Sequence, residues 1–110
     1  MGNIRETLIE SLQRIEPASD PDISLAFILK SHALEKQRYY RALADYYTKR
    51  YEMSPDQFYQ ERIADKDHSF EDEETYFDWV TALQSINEME AEIKKLEEII
   101  FDANGHRNFI

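Results

Sequence analysis

Apolar residues recur along the chain at steps of three and four, the period of an α-helix, and they divide the sequence into helical segments. The first segment, residues 3–16, places Ile4, Leu8, Leu12 and Ile15 on one face. The last segment, residues 71–103, keeps the pattern for more than three heptads, with core positions Trp79, Ala82, Ile86, Met89, Ile93, Leu96 and Ile100. Both patterns are typical of amphipathic helices that pack against other helices.

The segment from residue 22 to 52 has a heptad frame of its own. Its predicted core positions are Ala26, Leu29, Ala33, Lys36, Tyr40, Leu43 and Tyr47, with Lys36 as the single break. A helix over residues 23–51 of this segment extends about 44 Å at 1.5 Å per residue. The segment is therefore long enough to pair with the last helix along most of its length.

Helix-start signals separate these segments. Asp20 and Ser54 each precede a proline, and Ser69 precedes a run of acidic residues. Small polar residues cap helix N-termini, and proline is favoured at the first helical position. Met53 and Phe58 occupy the two positions of a hydrophobic staple around Ser54. The sequence thus predicts a short helix over residues 55–63 and a fresh start at residue 69, whereas Asn104-Gly105 predicts the end of the last helix.

These segments predict an all-α fold in a single domain, residues 1–110. The two long helices should form an antiparallel hairpin, with the short helix in the hinge and the N-terminal helix packed on it. The long helices have broad apolar faces, and the chain carries seven tyrosines that can lie at half-buried boundaries. We therefore expect a homodimer, most simply a bundle of two hairpins, with a monomer as the alternative.

Charge is distributed unevenly along the 110 residues, whose net charge is −10. Residues 23–53 hold six basic and three acidic residues, whereas residues 54–78 hold two basic and nine acidic ones. An acidic hinge disfavours direct nucleic-acid binding and favours a basic protein surface as partner. A solvated acidic face that only maintains solubility is the simpler interpretation.

Composition further restricts the classes of protein to which the chain can belong. The chain has no cysteine, which excludes disulfides and thiolate metal sites. Its N-terminus is charged too early for a signal peptide, and the longest apolar run, Leu25 to Leu29, is far too short to cross a bilayer. A cytoplasmic protein without a membrane partner is the expectation.

Catalytic motifs are missing from the sequence. There is no glycine-rich phosphate loop and no serine in a nucleophile-elbow context, so neither an enzyme nor a bound cofactor is expected. The one partial match is Glu71-x-x-Glu74, half of the paired acidic motif with which all-α nucleotide pyrophosphohydrolases bind magnesium. No E-x-x-D follows at a suitable distance on a facing helix. A magnesium-dependent nucleotide hydrolase is therefore a minor alternative, and no metal ligands are predicted.

Aromatic and acidic residues concentrate at the hinge. Core packing explains most of the aromatic residues, but aromatic side chains on rigid helices are also effective interface anchors. The exposed members of this set form the predicted partner-binding site, drawn from Phe58, Tyr59, Glu71, Asp72, Glu73, Glu74, Tyr76 and Trp79. The heptad position of Trp79 favours burial in the bundle instead.

The hinge also carries a family resemblance, through Arg50-Tyr51-Glu52-Met53-Ser54, then Asp56-Gln57-Phe58-Tyr59, and then Tyr76-Phe77-Asp78-Trp79. These segments resemble a group of small prokaryotic proteins that are often encoded beside a small toxin and are described as antitoxin-like. The resemblance extends over roughly Leu34 to Leu96. It departs at Glu52, where the group usually has glycine, and at Asp78, where the group usually has glutamate. It implies a non-enzymatic protein that binds and neutralises a small basic toxin; a purely structural, self-assembling helical bundle is the second reading.

Overall fold

The computed structural model describes the backbone of residues 2–64 and 67–108, and the side chains among them up to residue 103. This part of the chain forms four helices and no strand. The helices are α1 (Ile4–Ile15), α2 (Pro21–Tyr51), α3 (Pro55–Arg62) and α4 (Phe70–Asn108). The all-α prediction and the order of its helices are confirmed.

The predicted N-caps direct their side chains at the first free amide groups of each helix. Asp20 accepts a hydrogen bond from the backbone of Asp22 at 2.8 Å, and Ser69 accepts one from Asp72 at 3.0 Å. Ser54 accepts from the backbone of Gln57 at 3.1 Å. The side chain of Gln57 donates instead to Glu61, one turn further on, so the capping box at α3 is formed from the Ser54 side only.

The chain divides into two compact units. The first comprises residues 1–34 and 91–110, and the second comprises residues 35–90. Within the first unit α2 faces α4 through Lys30 and Glu97, whose charged atoms lie 3.9 Å apart. Within the second unit Gln37 of α2 donates to Glu90 of α4 at 2.9 Å. The two long helices pack against each other as the predicted hairpin, with α3 between them in the chain.

The predicted seam of α4 is confirmed. Every one of its positions is buried or half-buried: Trp79, Ala82, Ile86, Met89, Ile93, Leu96 and Ile100. Its acidic and basic residues occupy the remaining faces. The apolar period of this helix therefore predicts its packing face correctly.

The predicted seam of α2 is covered at most of its positions and fails at Leu29. Leu29 is exposed, as is Lys36, the predicted break, whereas Gln37 and Ala44, which lay outside the predicted seam, are buried. Small alanines let two helices approach closely, and Gln37 is satisfied within the core because its amide donates to the backbone carbonyl of Ile86 at 3.2 Å as well as to Glu90. The α2 helix is thus rotated slightly from its predicted orientation.

The last helix does not end at the predicted stop. Helix α4 continues through Asn104-Gly105 to Asn108. Glycine ends a helix when it adopts the left-handed conformation, and no described glycine does so. Inside a helix glycine costs only about 1 kcal/mol relative to alanine, so the helix can pass through it.

Helix α1 exposes most of its predicted apolar face. Ile4, Leu8 and Ile15 are exposed, whereas Ile9 and Leu12 are half-buried, and no residue of α1 is fully buried. Among the described helices, none is both long enough and apolar enough to span a membrane.

Candidate partner-binding groove

Two of the predicted site residues lie in the core of the second unit. Phe58 of α3 is 0% exposed and Trp79 of α4 is 1% exposed, and their ring centres lie 5.8 Å apart in an edge-on arrangement. Tyr51 adds a third ring, 4.9 Å from Phe58. Phe58 and Trp79 point inward from the packed faces of their helices, so in this fold their side chains belong to the core and are not exposed.

Arg62 fixes α3 against the start of α4. Its guanidinium group lies over the rings of Tyr51 and Phe58, at 5.1 and 5.3 Å from their centres. A nitrogen of the same group lies 3.6 Å from a carboxylate oxygen of Asp72. Cation–π contacts and an ion pair on one side chain restrict the position of the short helix. Asp72 is therefore engaged inside the unit.

Beside this core lies an open groove of about 460 Å³, which we name the hinge groove. Its lining combines aromatic, aliphatic and acidic side chains: Tyr59, Ile63, His68, Phe70, Glu73, Glu74, Tyr76 and Phe77. Phe70 is 75% exposed and Phe77 is 68% exposed. Tyr59 of α3 and Tyr76 of α4 meet with ring centres 5.1 Å apart. The groove thus presents large apolar surface to solvent, supported by helices on a packed core.

Most groove residues of α4 lie on the side of that helix away from the seam; Tyr76 is the exception and packs against the core. Phe77 precedes Trp79 by two residues, which is about 200° around a helix of 3.6 residues per turn. Phe70 and Phe77 are seven residues apart and so lie within about 20° of each other, with Glu73 and Glu74 between them. One face of α4 therefore packs the core, while the opposite face carries two phenylalanines and two glutamates.

The charges around the groove are only partly neutralised. A nitrogen of His68 lies 3.1 Å from a carboxylate oxygen of Glu73, and Asp72 pairs with Arg62. Glu71 and Glu74 are exposed and form no ion pair with the residues that the structure describes. The rim of the groove is therefore acidic.

The structure sorts the eight predicted site residues into three groups. Four of them line the hinge groove, namely Tyr59, Glu73, Glu74 and Tyr76. Glu71 and Asp72 lie in the first turn of α4 and do not line the groove. The other two, Phe58 and Trp79, are core residues.

Sequence reasoning missed four groove residues: Ile63, His68, Phe70 and Phe77. The two phenylalanines had a detectable signal. Their spacing of seven residues repeats a helix face, and that face is out of phase with the seam that begins at Trp79. Ile63 and His68 enter the groove through the fold of the hinge, which no periodicity encodes.

A second, smaller groove of about 340 Å³ lies elsewhere in the same unit. It is lined by Tyr39, Tyr40, Leu43, Tyr47, Asp78, Thr81 and Ala82. Burial raises the pKa of the Tyr47 hydroxyl, and the neighbouring carboxylate of Asp78 raises it further. Tyr47 therefore stays neutral across the physiological range.

The described residues offer no assembled metal centre. No group of three or more histidine or acidic side chains within residues 2–64 and 67–103 converges closely enough to hold an ion. The partial motif Glu71-x-x-Glu74 lies on a single helix turn, with Arg62 facing its neighbour Asp72. The chemistry that this surface offers is recognition by apolar contact and negative charge.

Comparison of the chain with protein-family models, with curated proteins and with solved structures gave no match.

Proposed function

We propose that this protein is a non-enzymatic interaction module whose hinge groove binds a basic partner protein. The observation that carries the proposal is the exposure of Phe70 and Phe77 on either side of Glu73 and Glu74, in a groove large enough to accept side chains. Large exposed apolar patches with polar rims mark interaction sites. The binding partner would insert apolar groups between the two phenylalanines.

Charge complementarity defines the partner. Residues 54–78 carry nine acidic and two basic residues, and Glu71 and Glu74 have no ion-pair partner among the described residues. Such a surface attracts cationic proteins and accelerates encounter with them. A small basic toxin, as the antitoxin resemblance of the hinge implies, fits this description. In that role the chain would act by covering a functional surface of the toxin.

The hydrolase alternative has weaker support. It requires a second acidic pair facing Glu71 and Glu74, and Arg62 approaches the same helix turn. Calorimetric titration with magnesium should detect no stoichiometric site. A tight site accompanied by hydrolysis of nucleoside triphosphates would replace the interaction proposal.

The proposal is tested by affinity capture from the organism that encodes the chain, using four versions of the full protein. These are the wild type, Phe77→Ala, Glu74→Lys and the control Phe101→Ala. Phe101 is also an exposed phenylalanine of α4, but it belongs to the other unit. We expect the wild type and the control to recover the same basic protein, which the other two lose. Equal recovery by all four versions would contradict the proposal.

Binding measurements with the purified protein and its captured partner then test the role of charge in association. The association rate of the wild type with the captured protein should fall as salt is added, because steering by exposed charges is screened. Glu74→Lys should slow association at low salt and reduce this salt dependence. A rate that is independent of both salt and the substitution would exclude a charge-selected partner.

A further inference from the structure

Helix α1 carries an aliphatic stripe that no part of its own chain covers among the described residues. Ile4, Leu8 and Ile15 are 78%, 63% and 75% exposed. Their spacing of four and seven residues places all three within about 40° on the helix circumference. Ile9 and Leu12, on the neighbouring face, are half-buried. The helix thus meets the rest of its unit through one side of its apolar face and leaves the other side in solvent.

The same unit has further exposed aliphatic residues at the start of α2. Leu25 and Leu29 are each a little under half exposed, and they are four residues apart on one helix face. Scattered exposed leucines are ordinary on protein surfaces, but an aligned stripe on a short amphipathic helix is the pattern of a helix–helix contact.

We propose that the α1 stripe packs against α1 of a second copy of this chain across a two-fold axis. With Ser11 included, the stripe steps by four, three and four residues, which is the seam spacing of paired helices. A two-fold contact requires one patch that complements itself, and an aliphatic stripe meets this requirement. Ser11, near the middle of the stripe, is its only polar member.

Charge favours a second copy over other occupants. The polar faces of α1 carry two arginines, Arg5 and Arg14, and two glutamates, Glu6 and Glu10. Two neutral helices can meet without repulsion, even though the whole chain has a net charge of −10. Helices that lie on anionic membranes instead carry an excess of lysine and arginine. A basic partner of the kind proposed for the hinge groove finds no excess of negative charge on α1.

The area that a stable dimer interface needs indicates that residues outside α1 also contribute to it. A standard interface covers about 800 Å² on each partner, which is more than three aliphatic side chains provide. We therefore expect Leu25 and Leu29 to lie at the edge of the contact. This contact is independent of the hinge groove, and Phe77→Ala should leave it unchanged.

Sedimentation equilibrium of the full chain tests the contact. The wild type should be a dimer of the 13.1 kDa chain at micromolar concentration. Leu8→Glu should weaken dimerisation by at least about tenfold, equivalent to about 1.4 kcal/mol, because two carboxylates would be forced into the seam. The control Leu83→Glu, at an exposed leucine of the other unit, should stay dimeric. A monomeric wild type, or a dimeric Leu8→Glu, would overturn the proposal.

A second variant acts in the opposite direction and does not depend on a disruptive substitution. Ser11→Leu completes the stripe and should strengthen dimerisation several-fold, with an unchanged circular dichroism spectrum. Ser31→Leu is the matched control, since Ser31 is an exposed serine of the same unit and lies about 160° around α2 from Leu29. If both leucine variants change dimerisation equally, or neither does, α1 is not the contact.

Discussion

At the scale of single residues, the end of α2 depends on an unusual backbone conformation at Glu52. Its φ of 52° lies in the left-handed region, and its amide donates to the carbonyl of Thr48 at 2.9 Å. This is the αL helix cap, in which glycine is the favoured residue because it has no Cβ to clash with the backbone. Glu52 therefore maintains the turn in spite of local strain.

Replacing Glu52 by glycine should increase the free energy of unfolding by about 0.5–1 kcal/mol, since relief of the strain exceeds the added entropy of the unfolded chain. Chemical denaturation would measure the change. Glu52→Ala is the control, because alanine keeps the Cβ and should give no comparable gain. Equal stability of the glycine and alanine variants would show that Glu52 is not strained.

Tyr47 provides a pH-dependent test of the packing around the α2–α4 seam. Burial and the carboxylate of Asp78 raise its pKa above the ordinary value of 10.0. The unfolded chain therefore loses this proton at lower pH than the folded chain does. The corresponding stability is fully present below pH 10 and is lost as the pH rises through the pKa of the folded state.

We expect Tyr47→Phe to reduce the fall in unfolding free energy above pH 10, as followed by denaturation at a series of alkaline pH values. Tyr39→Phe is the control, since Tyr39 is an exposed tyrosine of the same helix. An alkaline fall that is the same in wild type and Tyr47→Phe would mean that the Tyr47 hydroxyl is solvated in the folded protein.

At the scale of elements, two adjacent residues of the short helix α3 lie in different environments, one in the core and one at the surface. Phe58 is enclosed by Trp79 and Tyr51, whereas Tyr59 faces the hinge groove. Phe58→Ala should lower the free energy of unfolding by about 3–5 kcal/mol because it leaves a cavity in the core. Tyr59→Ala should lower it by less than about 1 kcal/mol, since a partly exposed side chain contributes little to stability. Thermal denaturation of the two variants would measure these changes. Equal losses of stability in Phe58→Ala and Tyr59→Ala would contradict the placement of Phe58 in the core and Tyr59 at the surface.

The long helices show what periodicity predicts and where it fails. The seam of α4 could be predicted because its apolar residues recur at steps of three and four for more than three heptads, from Trp79 to Ile100. In α2 the pattern favoured Leu29 over its neighbours, whereas the structure buries small or satisfiable residues such as Ala44 and Gln37. Burial of Gln37 depends on a hydrogen bond to Glu90, 53 positions along the chain. Local spacing carries no information about such a partner.

The candidate site, like the α2 seam, could be predicted only in part from the sequence. The acidic and aromatic character of the hinge indicated the region in which the groove lies, and Tyr59, Glu73, Glu74 and Tyr76 line that groove. Phe58 and Trp79 could not be separated from the exposed aromatic residues by composition alone. The distinction depends on which face of each helix packs inward, and that is decided by the tertiary fold.

At the scale of the whole molecule, the two compact units carry different surfaces. The unit of residues 35–90 has the acidic hinge groove, and the other unit has the neutral aliphatic stripe of α1. A surface that combines exposed aromatic residues with negative charge is suited to a basic protein, whereas an uncharged stripe is suited to its own copy. We therefore expect a dimer that presents two hinge grooves to its partners.

If Phe77 anchors a basic partner in the hinge groove, its removal must weaken the purified complex, and the dissociation constant measures this directly. Isothermal titration should compare the wild type with Phe77→Ala and with the matched variant Phe101→Ala. We predict that Phe77→Ala weakens binding by about 30-fold or more, equivalent to about 2 kcal/mol, without a change in thermal stability. Phe101→Ala should bind as the wild type does. Equal dissociation constants for wild type and Phe77→Ala would contradict the account.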